Sequence, residues 1–361
     1  MQQPAQSRFP LHLAVAWTLL AVYGSLYPFS GWSDSGVPLD DFLFAGWPRY
    51  TTAFDLSTNV AAYVPLGFLW VAALRPRLAS HLPPHFSPIA AVLAATLAGA
   101  ALSLATETLQ NFLPSRVPSN LDLACNTLGG LLGALAGAQW SPSLLDGGRL
   151  HALRTHFLLR GAPADAGLLL LLLWLLTQLD PETLLFGNGG LRSLFGPEGL
   201  PTLMPYSAEG FVRIEAAIVA SHTLTLLLVA GLLVRRAVRL LPLALVLAGI
   251  AGKSFAFLLM MRGTDGLAWA TPGSLAGLAA GLLLWLVAVP LQARWRQALA
   301  ALSLLLATAL VNLAPENPYL ANTLQTWDSG QFLNFHGLTR LASTLWPYLA
   351  LPWLFLFRTK S

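Results

Sequence analysis

Charge is scarce in this chain. Asp, Glu, Lys and Arg make up 10% of its 361 residues, where a soluble domain carries about 25%, so the composition argues against a water-soluble enzyme. Cysteine is scarcer still. Cys125 alone permits neither an internal disulfide nor a cysteine-built zinc site, and beside Asn126 it reads as a small packing residue. No Gly-rich phosphate loop, His-rich metal spacing or Ser-His-Asp order stands out, so neither a metal nor a cofactor is expected. A formal net charge of +4 is too mild to suggest a nucleic-acid partner. What the chain has instead is apolar length: 55% of it is hydrophobic, gathered into blocks of about the 17–25 residues that cross a bilayer.

Ten such blocks run over residues 11–27, 55–74, 89–111, 121–139, 166–185, 211–234, 240–261, 267–290, 295–312 and 341–357. The expected fold is therefore all-α, a polytopic transmembrane helix bundle with the lipid bilayer as its principal partner. Its parts are a four-helix domain (11–140), a basic linker (141–165), a second four-helix unit (166–290) and two C-terminal helices joined by a long loop (291–361). The connecting segments sort by charge. Arg8, Arg75, Arg77, Arg149, Arg154, Arg160, Arg235, Arg236, Arg239, Arg294, Arg296, Arg358 and Lys360 occupy one alternate set, thirteen of the 20 basic residues. That set holds just two acids, Asp146 and Asp165. Translocated loops lose Lys and Arg, so these segments are expected in the cytoplasm, with both termini inside.

Three expected outer segments are long: 28–54, 186–210 and 313–340. The first and last carry Trp32, Trp47, Trp327, Phe332 and Phe335. Such aromatics suit an interfacial belt. Loops of this length also serve as lids over a cavity, and both readings stay open. His336, beside Asn334 and Asp328 on the last of these segments, is the histidine marked for a secondary role. His222, inside an apolar run, reads as hydrogen-bonded to a neighbouring helix. The inner-loop His151 and His156 read as part of a basic face near anionic headgroups.

Ionisable groups inside apolar spans cost about 2.5–3.5 kcal/mol each at mid-helix on insertion scales, and here they are grouped. The second block opens with Asp55 and Asn59, four residues apart and so on one helical face. The third ends with Glu107, Gln110 and Asn111. The fourth opens with Asp122 and Asn126, and the same face continues as Gly129, Gly133 and Gly137. Sequential antiparallel helices joined by short loops are expected as neighbours, and the polar sets then share one depth. Facing each other, they exchange hydrogen bonds, protons or a cation instead of meeting lipid. The glycine ladder admits a close helix, and Pro65 with Gly67 predicts a kink below the cluster. Asp55 and Asp122 also suit plain helix capping, with Ser119 or Asn120 as alternative caps for the fourth helix. Glu107 escapes that account, because a helix C-terminus is the wrong end for an anion. It is expected either protonated or ionised beside a partner such as Arg116 or a bound cation.

Asp55-x3-Asn59-x5-Pro65-Leu66-Gly67, Glu107-x2-Gln110 and Ser119-x2-Asp122-x3-Asn126-x2-Gly129-x3-Gly133 together resemble the VanZ-like family of bacterial membrane proteins. The resemblance covers roughly residues 11–137. It implies an inner-membrane, cell-envelope role, with a link to antibiotic resistance of the glycopeptide type, and it supplies no reaction. The chain departs from the family's small members in its length. It also departs in the first outer segment, where Trp47-Pro48-Arg49-Tyr50 stands in place of a Lys-x2-His pattern.

A second copy is also suggested. Gly273, Gly277 and Gly281 repeat the 129, 133, 137 ladder at a constant offset of 144. Lys253-Ser254 then takes roughly the place of Glu107, and Lys253 is expected to pair with Glu215, Asp265 or Glu107. Three functions follow from these residues. One is an outward-facing pocket that binds a lipid-linked or sugar-containing envelope component, or carries a proton or ion. The second is a membrane hydrolase or transferase with Glu107 as general base. The third is an assembly partner whose polar cluster only sets helix register.

Overall fold

The computed structural model describes residues 8–34, 36–48, 52–144, 148–159, 161–192, 205–235, 240–260, 265–315, 317–318 and 329–357, and those residues are helical throughout apart from turns and connections. Their one β-type contact is an isolated bridge between Leu158 and Val234. Seven of the described helices are long and apolar enough to cross a membrane. The chain divides into two compact units, Met1–His156 and Phe157–Ser361.

In the first unit, α1 (Phe9–Leu26) is followed by the short α2 (Asp41–Phe44), then by α3 (Ala53–Leu78), α4 (Phe86–Gln110) and α5 (Asn120–Leu144). A short basic helix, α6 (Arg149–Phe157), closes it, with the Arg154 guanidinium 4.2 Å from the centre of the Phe9 ring. The closest packing is α3 on α5, and glycine makes it so. A Cβ added at Gly129 would stand 2.3 Å from Val60 O, at Gly133 1.9 Å from Val64 O, and at Gly137 2.9 Å from Phe68 O. Gly67 answers from the other side, 2.0 Å from Gly130 O. In lipid, where apolar surface gives no net drive to associate, such backbone contact is what holds helices together. α3 continues through Pro65 and Pro76 as one element. α1 is tied to α3 by Trp17 Nε1 donating to Ala62 O at 2.8 Å and Trp70 Nε1 donating to Thr18 Oγ1 at 3.1 Å.

The second unit holds α7 (Ala162–Thr177), α8 (Ala208–Leu233), α9 (Leu241–Met260), α10 (Pro272–Ala288), α11 (Ala293–Leu313) and α12 (Ser329–Leu356). α7 and α10 are apolar but shorter than the seven spanning candidates. α8 is buried along most of its length, Glu215 and His222 included. It meets α10 along a second glycine ladder: a Cβ at Gly273 would stand 2.8 Å from Val212 O, at Gly277 2.5 Å from Ala216 O, and at Gly281 2.7 Å from Ala220 O.

Two expectations about connections need correction. The 166–185 block does not run as a helix to its end, because α7 stops at Thr177. Residues 185–189 then lie buried in irregular backbone, with Phe186 and Gly189 at φ of 60° and 95°. Buried irregular backbone is tolerated at membrane depth only where protein satisfies it, and here it does. Asn312 Nδ2 donates to Gly189 O, Gly189 N to Ser343 O, and Leu191 N to Asn312 Oδ1, all at 2.8–2.9 Å. The last long segment is also shorter than expected, since Ser329–Arg340 belongs to α12. Its polar residues hide that helix from a hydropathy reading. The His336 side chain, Trp327 and Asp328 lie outside the described residues.

Candidate functional site

The site lies where the N-terminal ends of α3 and α5 meet the C-terminal end of α4. Thr52 caps α3 in a reciprocal box: its hydroxyl accepts from Asp55 N at 3.1 Å, and Asp55 Oδ2 accepts from Thr52 N at 3.1 Å. Asp55 is exposed and committed to that cap. One turn on, Asn59 hydrogen-bonds the half-buried Asp122 of α5. Ser119 begins α5, its hydroxyl accepting from Leu121 N at 3.2 Å and from Asp122 N at 3.3 Å.

Glu107 sits behind this rim, 3% exposed. Its Oε2 accepts the Ser119 backbone N–H at 2.8 Å. The wrong end of α4 is thus made suitable for an acid by a free amide at the right end of α5. Arg116, in the α4–α5 connection, is close enough to act on Glu107 electrostatically. Its guanidinium chiefly holds the end of α1, donating to Tyr27 O at 2.6 and 2.9 Å and to Gly24 O at 3.2 Å. Burial pulls the Arg116 pKa below its usual value, and Glu107 opposes that pull.

Deeper still, Asn126 Nδ2 donates to Ser103 Oγ at 3.0 Å, while Gln110 Nε2 leaves the cluster to bond Ser25 O of α1 at 2.9 Å. Tyr63, 2% exposed, stands among Ser25, Ser103 and Thr106 with Glu107 nearby. The structure therefore brings Asn59, Glu107, Asp122 and Asn126 to one end of three adjacent helices, with Gln110 turned to α1 and Asp55 to its own cap. Tyr63, Ser103, Thr106 and the α1 contribution escaped the sequence reading. The signal was available: Asn59 and Tyr63 are four residues apart, and Ser103, Thr106, Glu107 and Gln110 share one helical face at three- and four-residue spacing.

Residues 28–34 and 36–48 fold over this end. Ser33 N donates to Phe112 O at 2.9 Å, Asn120 Nδ2 to Ala45 O at 2.7 Å, and Asn111 Nδ2 to Leu39 O at 3.4 Å. Phe42 of α2 is buried beneath it, whereas Trp32 and Trp47 remain exposed. Arg49 and Tyr50 lie outside the described residues.

In the second unit, the partners expected for Lys253 are replaced. Its ammonium donates to Asp180 O and Thr183 O, each at 2.6 Å, and to Thr183 Oγ1 at 3.0 Å. The reason is the early end of α7, which leaves carbonyls of the 180–183 turn free to accept. Glu215 bonds the Thr271 hydroxyl at 2.5 Å instead, and Asp265 accepts from Leu267 N at 3.0 Å. His222 Nε2 accepts from Asn188 N at 3.3 Å.

No curated protein and no solved structure matches the chain. The VanZ/LLP1 family model matches residues 9–139, so the four long helices that build this site form a VanZ-like segment at the start of a longer chain.

Proposed function

We propose that this is an inner-membrane protein of the bacterial cell envelope whose VanZ-like segment binds a lipid-linked or sugar-containing envelope component in a polar site at the outer surface. Glu107 carries the reading. A carboxyl group 3% exposed in an apolar helix, bonded to the free amide of a neighbouring helix start, is an expensive feature, since a neutral oxygen would satisfy that amide as well. Around it, the Asn59 and Asp122 side chains and the Asn126 amide offer both donors and acceptors, which suits hydroxyl-rich ligands. Residues 28–34 and 36–48 over the same end suit a lid. Similarity to the VanZ family adds the expectation of a link to glycopeptide resistance.

The same proposal includes ten spans with both termini in the cytoplasm, supported by the alternation of basic residues between connections. It includes residues 166–290 as a diverged copy of the first four spans, with the two C-terminal helices added. Gly129, Gly133 and Gly137 face Val60, Val64 and Phe68, and Gly273, Gly277 and Gly281 face Val212, Ala216 and Ala220. The ladder is offset by 144 and the facing helix by a constant 152, rung for rung.

The test is lipid retention. The full chain, purified in nanodiscs formed from native envelope lipid, should hold a specific lipid through native mass spectrometry. Glu107→Gln should lose it while remaining folded. Retention of the same lipids by the wild type and the variant would refute the assignment.

A further inference from the structure

Charge in the first unit is divided by position. Its described acids are Asp34, Asp40, Asp41, Asp55, Glu107 and Asp122, and they lie at the end that holds the Glu107 site or in the residues folded over it. At the opposite end α1 begins, α3 ends, α4 begins and α5 ends, and the chain continues into α6. Arg8, Arg75, Arg77, Arg149 and Arg154 all lie there, with no described acid among them. Tertiary contacts gather them. Arg75 Nη1 donates to Ala138 O of α5 at 2.7 Å, and Ser87 Oγ of α4 donates to Arg75 O at 3.1 Å. The Arg154 guanidinium of α6 sits 4.2 Å over the ring of Phe9, the residue that follows Arg8. Arg8, Arg77 and Arg149 are exposed. Cations collected in this way repel one another and raise the local potential until an anion joins them.

Apolar side chains are exposed among these cations. Leu153 lies between Arg149 and Arg154 on α6 and is 52% exposed, while Phe86 and Ile89 in the first turn of α4 are each 57% exposed. A dissolved phosphate would neutralise the arginines and leave those side chains in water. A membrane surface meets both needs at once. Its phosphodiesters match the paired N–H groups of a guanidinium, and its acyl boundary takes the apolar side chains, as it does for a basic helix lying at the interface. We propose that α6, with Arg8, Arg75 and Arg77, forms a docking surface for anionic phospholipid, α6 lying in the headgroup layer and Arg8 and Arg149 meeting the phosphodiesters. This surface is at the other end of the helices from Glu107, and it stands or falls independently of what Glu107 binds.

The test places the full chain in nanodiscs of phosphatidylcholine alone or with phosphatidylglycerol added. Bound lipid, thermal unfolding and hydrogen exchange over α6 are read in each. Wild type should retain phosphatidylglycerol in preference to phosphatidylcholine, unfold later with it and exchange more slowly along α6, and these gains should shrink as salt is raised. Arg8→Gln combined with Arg149→Gln removes two exposed charges and leaves Arg75, Arg77 and Arg154 in their contacts. This pair should match wild type in phosphatidylcholine alone and retain phosphatidylglycerol about tenfold less well. Arg8→Lys combined with Arg149→Lys keeps the charge and should retain the lipid nearly as wild type does. Arg213→Gln removes an exposed charge from the second unit and should leave retention unchanged. Equal retention by wild type and the Gln pair, or no preference in wild type, would overturn the surface. An equal loss in Arg213→Gln would show that net charge alone draws the lipid, and would overturn it too. If the Gln pair unfolds earlier in phosphatidylcholine, the Lys pair decides: a folded Lys pair that fails to retain phosphatidylglycerol refutes the surface, and one that retains it upholds it.

Discussion

Glu107 is best understood through the one bond it makes. Its Oε2 answers the Ser119 amide at 2.8 Å, so the carboxyl has a structural task as well as any binding task, and two substitutions separate them. Glu107→Gln keeps an oxygen for that amide. Its unfolding temperature should stay near that of wild type while lipid retention drops. Glu107→Leu leaves the amide buried and alone, which costs about 1–3 kcal/mol and should lower the unfolding temperature measurably in the same membrane. Asp55 gives the opposite pattern. It is exposed and occupied by the Thr52 cap, so Asp55→Ala should cost about 0.3–1 kcal/mol of stability and leave lipid retention unchanged. A loss of retention in Asp55→Ala at unchanged stability would return Asp55 to the ligand. The acids were legible in sequence because charge is rare inside apolar runs. Tyr63, Ser103 and Thr106 were not, since small hydroxyl groups and tyrosine barely interrupt hydropathy, and their role depends on α1 lying alongside.

At the scale of helices, the α3–α5 seam is set by backbone rather than by side chains. A methyl group at Gly133 would stand 1.9 Å from Val64 O and 2.7 Å from Val64 C. Neither atom can move without carrying the helix with it. Gly133→Ala should therefore force the pair apart and cost about 1–3 kcal/mol or more. Gly130, on the same helix, meets nothing within 4 Å when a Cβ is added, and Gly130→Ala should be neutral or slightly stabilising. Comparing the two variants by thermal unfolding isolates contact from helix propensity; equal losses would show that the seam is not so tight. The ladder was legible because four-residue glycine spacing has a simple geometric meaning. The 180–192 segment was not, because its backbone is satisfied by residues far along the chain: Lys253, Asn312 and Ser343. Lys253→Met removes the donor from three oxygens of the 180–183 turn. It should destabilise the second unit by at least ~2 kcal/mol, visible as faster hydrogen exchange at residues 180–192 and unchanged exchange in the VanZ-like segment.

Across the whole molecule, each of the ten apolar blocks overlaps a helix, and seven of the described helices are long and apolar enough to cross a membrane. Block positions survive because burying a backbone in lipid demands helix whatever the detail of the sequence. Their ends do not, because capping and long-range side-chain bonds decide where a helix stops. Sidedness is a separate property, carried by charge in the connections. Arg75, Arg77, Arg149, Arg154, Arg235, Arg294 and Arg296 fall in alternate connections, and the exposed Asp34, Asp40 and Asp41 fall in one of the others. If Lys and Arg stay where translocation fails, a cysteine introduced at exposed Ser33 should react with a membrane-impermeant maleimide added outside the cell. Cysteines in place of Ser80 or Arg294 should react only after the membrane is opened. If the spans number ten and the N-terminus lies inside, a reporter fused at the C-terminus should fold in the cytoplasm. Labelling of position 80 from outside would invert the protein and move the Glu107 site to the cytoplasmic face, where an outer-surface ligand could not reach it.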